Sequence, residues 1–97
     1  MLPLEYNPKF GREADGYFRW YEARLSGLGF DFLSEIGDVL ARIKSNPNHY
    51  GLATATIRQG LVKRFPFSIF YRIKPDRIRI LSLWHNSRGS SPWKYRR

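Results

Sequence analysis

The side chain in the second half of the sequence that could transfer a proton near neutral pH is His85, which ends the segment FPFSIFYRIKPDRIRILSLWH. Histidine is a common general acid because free imidazole titrates close to physiological pH. Arg58, Arg64 and Arg72 lie upstream of it and could stabilise negative charge on a phosphate in a transition state. These residue types could cleave RNA without a metal ion if a general base for the 2′-hydroxyl were also present.

The general base is harder to assign. The one carboxylate after residue 50 is Asp76, which lies in a predicted turn, where aspartate serves local hydrogen bonds. His49 lies near the end of the predicted helices with no obvious route to the sheet, and Tyr95 would need an unusual environment to accept a proton. The sequence therefore favours a binding role for His85 and leaves catalysis open as the alternative.

Positive charge is concentrated in one half of the chain. The 17 basic and 8 acidic side chains give a net charge of +9. Residues 1–50 carry six basic and seven acidic side chains, a net −1, whereas residues 51–97 carry eleven basic and one acidic, a net +10. Such an asymmetry predicts an acidic partner, which could be nucleic acid or an acidic protein.

Length and composition predict a single domain with a modest core, because the chain has 97 residues and is 42% hydrophobic. The absence of cysteine excludes a disulfide framework and a thiolate metal site. We also find no histidine or carboxylate spacing typical of a metal site, so we expect neither metal nor cofactor. No apolar run approaches the roughly 18 residues of a membrane span, and we expect a cytoplasmic protein with no membrane partner.

The first half predicts a short strand and two helices. Residues 2–6 are compatible with an edge strand, and Asn7-Pro8 is a typical helix start. Gly27 is expected to end this helix, and a second helix is expected to stop before Asn46-Pro47. The apolar stripe of the first helix comprises Phe10, Ala14, Tyr17, Phe18, Tyr21 and Leu25. The stripe of the second comprises Leu33, Ile36, Leu40 and Ile43, backed by Phe32 and Val39.

In the second half of the chain, apolar residues recur at every second position, as they do in β-strands. Residues 56–64 predict a strand that Gly60 weakens, and residues 65–73 alternate as a half-buried strand. After a KPD turn, residues 77–85 predict a further strand, which first alternates and then becomes apolar on both faces from Leu81 to Trp84, so we expect its centre to be covered on both sides. The sequence predicts an α+β fold, with a short N-terminal strand and an antiparallel helix hairpin packed on one face of a small, mostly antiparallel sheet. A mobile, exposed basic tail is predicted over residues 87–97.

Three segments resemble the RelE/ParE family of bacterial toxins from type II toxin–antitoxin systems. They are WYEARLSGLGFDFLSEI, IRQGLVKRFPFSIFYRI and RIRILSLWHNSRGSSPW. The block from Lys63 to Arg72 and the closing His85, Arg88 and Trp93 carry the resemblance most specifically. The resemblance covers nearly the whole chain, with the elements in the family's order, and it implies that residues 1–97 form a single toxin domain.

The resemblance implies a cognate antitoxin that neutralises the toxin in a hetero-oligomer, and the positive charge of residues 51–97 predicts that this antitoxin is acidic. ParE-like members, of the plasmid stabilisation type, bind DNA gyrase and arrest growth without catalysis, whereas RelE-like members cut mRNA on the ribosome without a metal ion. The SIFYR strand followed by LWHNSR and a tryptophan, together with the missing carboxylate base, favours the ParE-like branch. The alternatives are a ribosome-dependent mRNA endoribonuclease and a non-toxic nucleic-acid-binding module.

The predicted target-binding residues offer positive charge or aromatic area on the sheet and in the tail. Trp84 is expected in the core, whereas the aromatic and basic residues of PWKYRR would suit nucleic acid or an acidic protein equally. The target-binding set comprises Arg58, Arg64, Arg72, His85, Arg88, Trp93, Lys94 and Tyr95. In a ribonuclease the catalytic set would comprise His85, Arg64, Arg72 and Tyr95.

Overall fold

The computed structural model describes residues 1–97 and contains two α-helices and a four-stranded sheet. Neither helix is long and apolar enough to cross a membrane. The predicted α+β architecture, with the short strand first and the helix hairpin second, is confirmed. The elements are β1 (Leu4–Tyr6), α1 (Pro8–Arg24), α2 (Leu28–Ser45), β2 (Arg58–Leu61), β3 (Phe67–Ile73), β4 (Ile78–His85) and a 3-10 helix at Pro92–Tyr95.

The strands are ordered β1-β4-β3-β2 across the sheet. Strand β3 pairs antiparallel with both β2 and β4, whereas β1 pairs parallel with the first three residues of β4. Leu81 is an extra residue on β4, because Ser82 pairs with Phe70 and Ile80 pairs with Tyr71. This β-bulge changes which backbone groups of β4 point away from β3 beyond the end of β1.

The hairpin turn between the helices differs from the predicted one. Asn7 caps α1 as expected, and its side-chain oxygen accepts a first-turn amide hydrogen bond at 2.9 Å. Gly27 does not end α1; it precedes α2 as its N-cap, in the left-handed conformation with φ 91°. The carboxylate of Glu22 accepts hydrogen bonds from the backbone amides of Gly27 and Gly29, both at 2.9 Å. The turn is therefore closed by a carboxylate at the positive end of α2.

Both helices pack on one face of the sheet, but α2 faces it with a stripe adjacent to the predicted one. Leu33, which the predicted stripe places in the core, is 38% exposed, and Leu25, directly after α1, is 63% exposed. Phe18 contacts Phe30 outside the main core. The assignment of Leu33 is wrong because two neighbouring stripes of α2 are apolar, so periodicity alone does not distinguish them. Leu25 lies beyond α1 as its C-cap, and Phe18 packs on the exposed ring of Phe30 instead of the sheet. The buried α2 residues are Gly29, Phe32, Ile36, Val39 and Ile43.

The second face of the sheet carries a smaller core formed with the C-terminal tail. The ring of Trp93 stacks on Phe70 with 3.6 Å between centroids and 8° between planes. Leu83 lies in the main core while Leu81 and Trp84 lie in this second one, which confirms the predicted covering of both sides of β4. The predicted exposure of Trp93 is wrong, because its side chain is only 6% exposed and the open sheet face offered an apolar partner.

The layer assignment can be tested with one buried and one exposed truncation. Ile69 is fully buried on β3 and belongs to the main core, so Ile69→Ala should lower the free energy of unfolding by about 2–5 kcal/mol. Leu33→Ala is the matched control, and we expect it to cost under about 1 kcal/mol because the side chain already contacts water. Urea denaturation measures both, and equal losses would contradict the assignment.

Tyr71 makes stability depend on alkaline pH. Its side chain is fully buried and its hydroxyl donates to the backbone oxygen of Pro47 at 2.7 Å. Desolvation by burial raises the pKa of Tyr71 from 10.0 to about 12, although nearby Arg58 acts in the opposite direction. Above pH 10 the unfolded chain therefore loses this proton before the folded chain does, and the free energy of unfolding should fall until the pH reaches about 12.

Denaturation at several alkaline pH values measures this effect. Tyr71→Phe should show a shallower loss of stability with rising pH than the parent protein, while Tyr95→Phe, at an 87% exposed position, should follow the parent. If all three proteins lost stability in parallel, the burial of the Tyr71 hydroxyl would not be the cause.

Candidate binding surface

His85 ends β4 opposite the first residue of β3, Phe67, and is half-buried. Its ring meets Phe67 edge-on, with 5.0 Å between centroids. The ring atom Nδ1 accepts a hydrogen bond from the backbone N–H of Ser87 at 3.1 Å and lies 2.7 Å from the hydroxyl oxygen of Ser87. Because Nδ1 is engaged in this turn, Nε2 is the ring nitrogen left for an outside partner. No carboxylate orients the ring.

Arg88 lies directly beside His85. Its backbone N–H donates to the carbonyl of His85 at 3.1 Å, and the turn folds its side chain back over the sheet. The guanidinium carbon lies 3.8 Å from the centroid of the Trp84 ring, and Nη1 donates to the hydroxyl of Tyr17 at 3.4 Å. The cation is exposed yet held in place by these contacts.

Two small pockets open on opposite sides of His85, each with a volume of about 150 Å³. The first lies between α1 and the ends of β3 and β4, and its walls are aromatic. The second is more polar and lies on the sheet face that carries the tail. The first is lined by Tyr17, Trp20, Tyr21, Phe67 and His85. The second is lined by Gln59, Phe70, Trp84, His85, Asn86, Arg88, Ser90, Ser91 and Trp93.

Arg72 on β3 holds the C-terminal tail against the sheet through a hydrogen bond. Its Nη2 donates to the backbone oxygen of Lys94 at 3.3 Å, and it lies opposite Arg79 in the β3–β4 register. Lys94 is exposed and Tyr95 is 87% exposed. Trp93, by contrast, is buried against the sheet. The tail therefore presents Lys94 and Tyr95 to solvent and uses Trp93 and Arg72 as its attachment. We refer to His85, Arg88, Lys94 and Tyr95 as the His85 surface.

Two predicted site residues lie elsewhere, near the loop and helix beside β2. Arg58 donates Nη1 to the backbone oxygen of Tyr50 at 2.6 Å, and so ties down the loop before β2. Arg64 has a positive φ of 66° and pairs its Nε with Glu35 on α2 at 2.9 Å. The structure thus does not place either arginine with the His85 surface, and their side chains are engaged in holding β2 against the rest of the fold.

A partly buried ion pair was not anticipated from the sequence. Arg96 and Glu13 are 11% and 14% exposed, with 3.0 Å between Nη1 and a carboxylate oxygen. Glu13 also accepts the backbone N–H of Leu83 at 3.1 Å, while Arg96 donates to the carbonyl of Leu81 at 3.2 Å. A signal was present, since Glu13 lies three residues after Phe10, within the apolar face of α1.

Comparisons with known proteins support the fold assignment. No protein-family model and no curated protein matches the chain. Among solved structures, a chain of the chromosomal ParDE toxin–antitoxin system from P. aeruginosa superposes with a TM-score of 0.74. The two sequences are 21% identical, and the alignment covers 88% of this chain and 96% of that one. The present chain therefore has the fold of a ParDE-system chain over nearly its entire length.

The Glu13–Arg96 pair should be worth far more than a surface ion pair. Arg96→Met leaves a partly buried carboxylate without its cation and should lower the free energy of unfolding by about 2–3 kcal/mol, somewhat less than breaking a fully buried pair costs. Arg19→Met is the matched control, because Arg19 pairs with Asp15 while both are over half exposed, and its loss should be under about 1 kcal/mol. Urea denaturation gives both values. Similar small losses would show that the Glu13–Arg96 pair does not fix the tail.

Proposed function

We propose that this chain is the toxin of a type II toxin–antitoxin module and that, as a ParE-like toxin, it arrests growth by binding DNA gyrase. The observation that carries the proposal is the fold, which matches a ParDE-system chain over 88% of the sequence. The charge asymmetry supports it, since residues 51–97 carry ten net positive charges suited to acidic partners. We place its action in the cytoplasm, where gyrase works.

The arrangement around His85 supports binding more than catalysis. Metal-free RNA cleavage requires an acid, a base and a phosphate-stabilising cation around one phosphodiester. His85 has Ser87 as its side-chain partner and no carboxylate, and Arg64 is paired with Glu35 on α2. A binding role requires only exposed cations and aromatic area, which Arg88 and the tail supply.

A ribosome-dependent mRNA endoribonuclease is the second candidate. One observation favours it: His85 and Arg88 line the same small polar pocket on the sheet, with Nε2 of His85 free of protein partners. An imidazole acid and a guanidinium in one pocket could act on a phosphodiester if the substrate supplied the remaining geometry. The following experiment separates this activity from gyrase binding.

His85→Gln is the variant that distinguishes the two mechanisms. Glutamine keeps a polar side chain of similar reach but cannot act as a proton donor in acid catalysis, so a catalytic His85 would lose about 10²–10⁴-fold in rate. We expect the variant to remain toxic when expressed, to inhibit gyrase supercoiling in vitro, and to leave mRNA on translating ribosomes intact.

Ribosome-dependent cleavage of mRNA by the parent protein that disappears in His85→Gln would contradict the gyrase proposal and establish the ribonuclease. Salt-sensitive nucleic-acid binding without growth arrest in either protein would instead indicate a non-toxic binding module.

We further propose that an acidic, amphipathic antitoxin neutralises the chain in a hetero-oligomer. The product of the reading frame adjacent to this gene is the partner to test, by co-expression and co-purification. A complex that persists at moderate salt is expected, because apolar contacts persist where surface charge attraction is screened. Weak association confined to low salt would remove the main support for a toxin–antitoxin module.

A further inference from the structure

The first of the two pockets beside His85, which we call the aromatic notch, shares only His85 with the proposed gyrase surface. It is formed where α1 crosses the ends of β3 and β4, and its volume is about 150 Å³. Its walls are four aromatic rings and one imidazole. The lining residues are Tyr17, Trp20, Tyr21, Phe67 and His85.

The notch is built from rigidly placed rings. Tyr17 and Tyr21 lie one helical turn apart on α1, so they point to the same side. Tyr17 meets Phe67 edge-on at 4.5 Å between centroids, and Tyr21 packs against Phe65 and Phe32 at 5.0 and 5.1 Å. Burial, with a smaller effect of Tyr17, raises the pKa of the Tyr21 hydroxyl. The inner wall is thus anchored in the main core.

The outer wall is incompletely buried. Trp20 is 49% exposed, although a tryptophan ring is one of the larger apolar surfaces that a protein can bury. It stands at 87° to the ring of Tyr21, with 5.0 Å between centroids. A half-exposed indole beside a preformed apolar concavity is typical of a binding site for an apolar group.

Positive charge flanks the notch on two sides. The guanidinium carbon of Arg24 lies 3.3 Å from the centroid of Trp20, and Arg88 donates to the hydroxyl of Tyr17. Neither arginine forms an ion pair, and the lining contains no carboxylate. The nearby carboxylate of Glu22 is engaged with the amides of the helix turn. An apolar centre with free cations on its rim matches an acidic segment carrying an apolar side chain.

The shape of the aromatic notch suits an aliphatic side chain better than a nucleobase. Bases bind single-strand proteins by stacking on exposed ring faces, but the rings here stand edge-on to one another and Arg24 already covers one face of Trp20. A volume near 150 Å³ holds a group about the size of a benzene ring, which is close to a leucine or isoleucine side chain.

We propose that the aromatic notch binds one bulky aliphatic side chain from an acidic segment of the antitoxin. The identity of the partner rests on the proposed function; the chemistry of the notch does not. Because His85 lines both the notch and the polar pocket, a segment anchored here would lie beside the His85 surface and block access to it. Neutralisation would then follow from covering the target-binding residues.

The chemistry of the notch can be tested with the purified full-length chain and two synthetic peptides. Each peptide carries four glutamates around a central residue, which is leucine in one and alanine in the other. We expect the leucine peptide to bind about tenfold more tightly, since the notch discriminates between side chains that differ by several carbons. NMR titration of the chain's amide resonances measures both affinities and locates the site by the shifts of residues around Trp20.

Two variants and one control define the site. Trp20→Ala should abolish the preference for leucine, and Arg24→Gln should weaken both peptides and reduce the salt dependence of binding. Phe30→Ala removes another exposed aromatic ring, 62% exposed on α2 and outside the notch, and should leave both affinities unchanged. Equal affinity of the two peptides for the parent chain, or tighter Trp20-dependent binding of a ten-residue oligothymidylate, would overturn the proposal.

Growth assays with the product of the adjacent reading frame test the partner. We expect Trp20→Ala to remain as toxic as the parent but to be neutralised less well, with at least about tenfold weaker binding of that product. Undiminished neutralisation would overturn the antitoxin assignment, and loss of toxicity would place the notch in the target surface instead. If the parent chain proved non-toxic, the proposed function would fail while the peptide preference would still report on the notch.

Discussion

The fold depends on one partly buried carboxylate, that of Glu13. Strand β1 pairs with only the first three residues of β4, so the rest of that edge of β4 has no neighbouring strand. After the bulge at Leu81, the carbonyl of Leu81 and the N–H of Leu83 point to this unpaired edge. Buried backbone groups without hydrogen-bond partners are costly. Here the carboxylate of Glu13 accepts a hydrogen bond from the backbone N–H of Leu83, and Arg96 donates one to the backbone carbonyl of Leu81. The same ion pair therefore connects α1, the open edge of β4 and the end of the chain.

This connection decides which residues reach solvent. With Arg96 held at Glu13, the preceding 3-10 helix lies on the second face of the sheet, and Trp93 covers Phe70. Lys94 and Tyr95 then remain exposed on the same face of the sheet as Arg88, toward the end of β3 where Arg72 lies. The anchoring of the tail therefore determines which of its side chains belong to the proposed target surface. Basic residues occur throughout residues 51–97, so their charge does not by itself identify this surface.

Local chemistry predicted the order of elements, because signals such as Asn7-Pro8 and the period-two strands act over a few residues. The buried stripe of α2 was not predictable in the same way, since Leu33 and Phe32 belong to adjacent apolar stripes and only the sheet selects between them. The burial of Trp93 depends on Phe70, more than twenty positions earlier in the chain. Likewise, Arg64 was grouped with the other cations, and only the packing of β2 against α2 directs it to Glu35.

Equilibrium binding of the purified chain to DNA gyrase, without ribosomes or RNA, tests the central claim most directly. The account predicts saturable binding that Arg88→Gln weakens by at least about tenfold, as expected for an ordered arginine in a binding surface. Arg64→Gln removes an equal charge from the side of the molecule that faces Glu35 and should leave the affinity nearly unchanged. No binding to gyrase, or an equal loss from both substitutions, would contradict a specific surface built around His85 and Arg88.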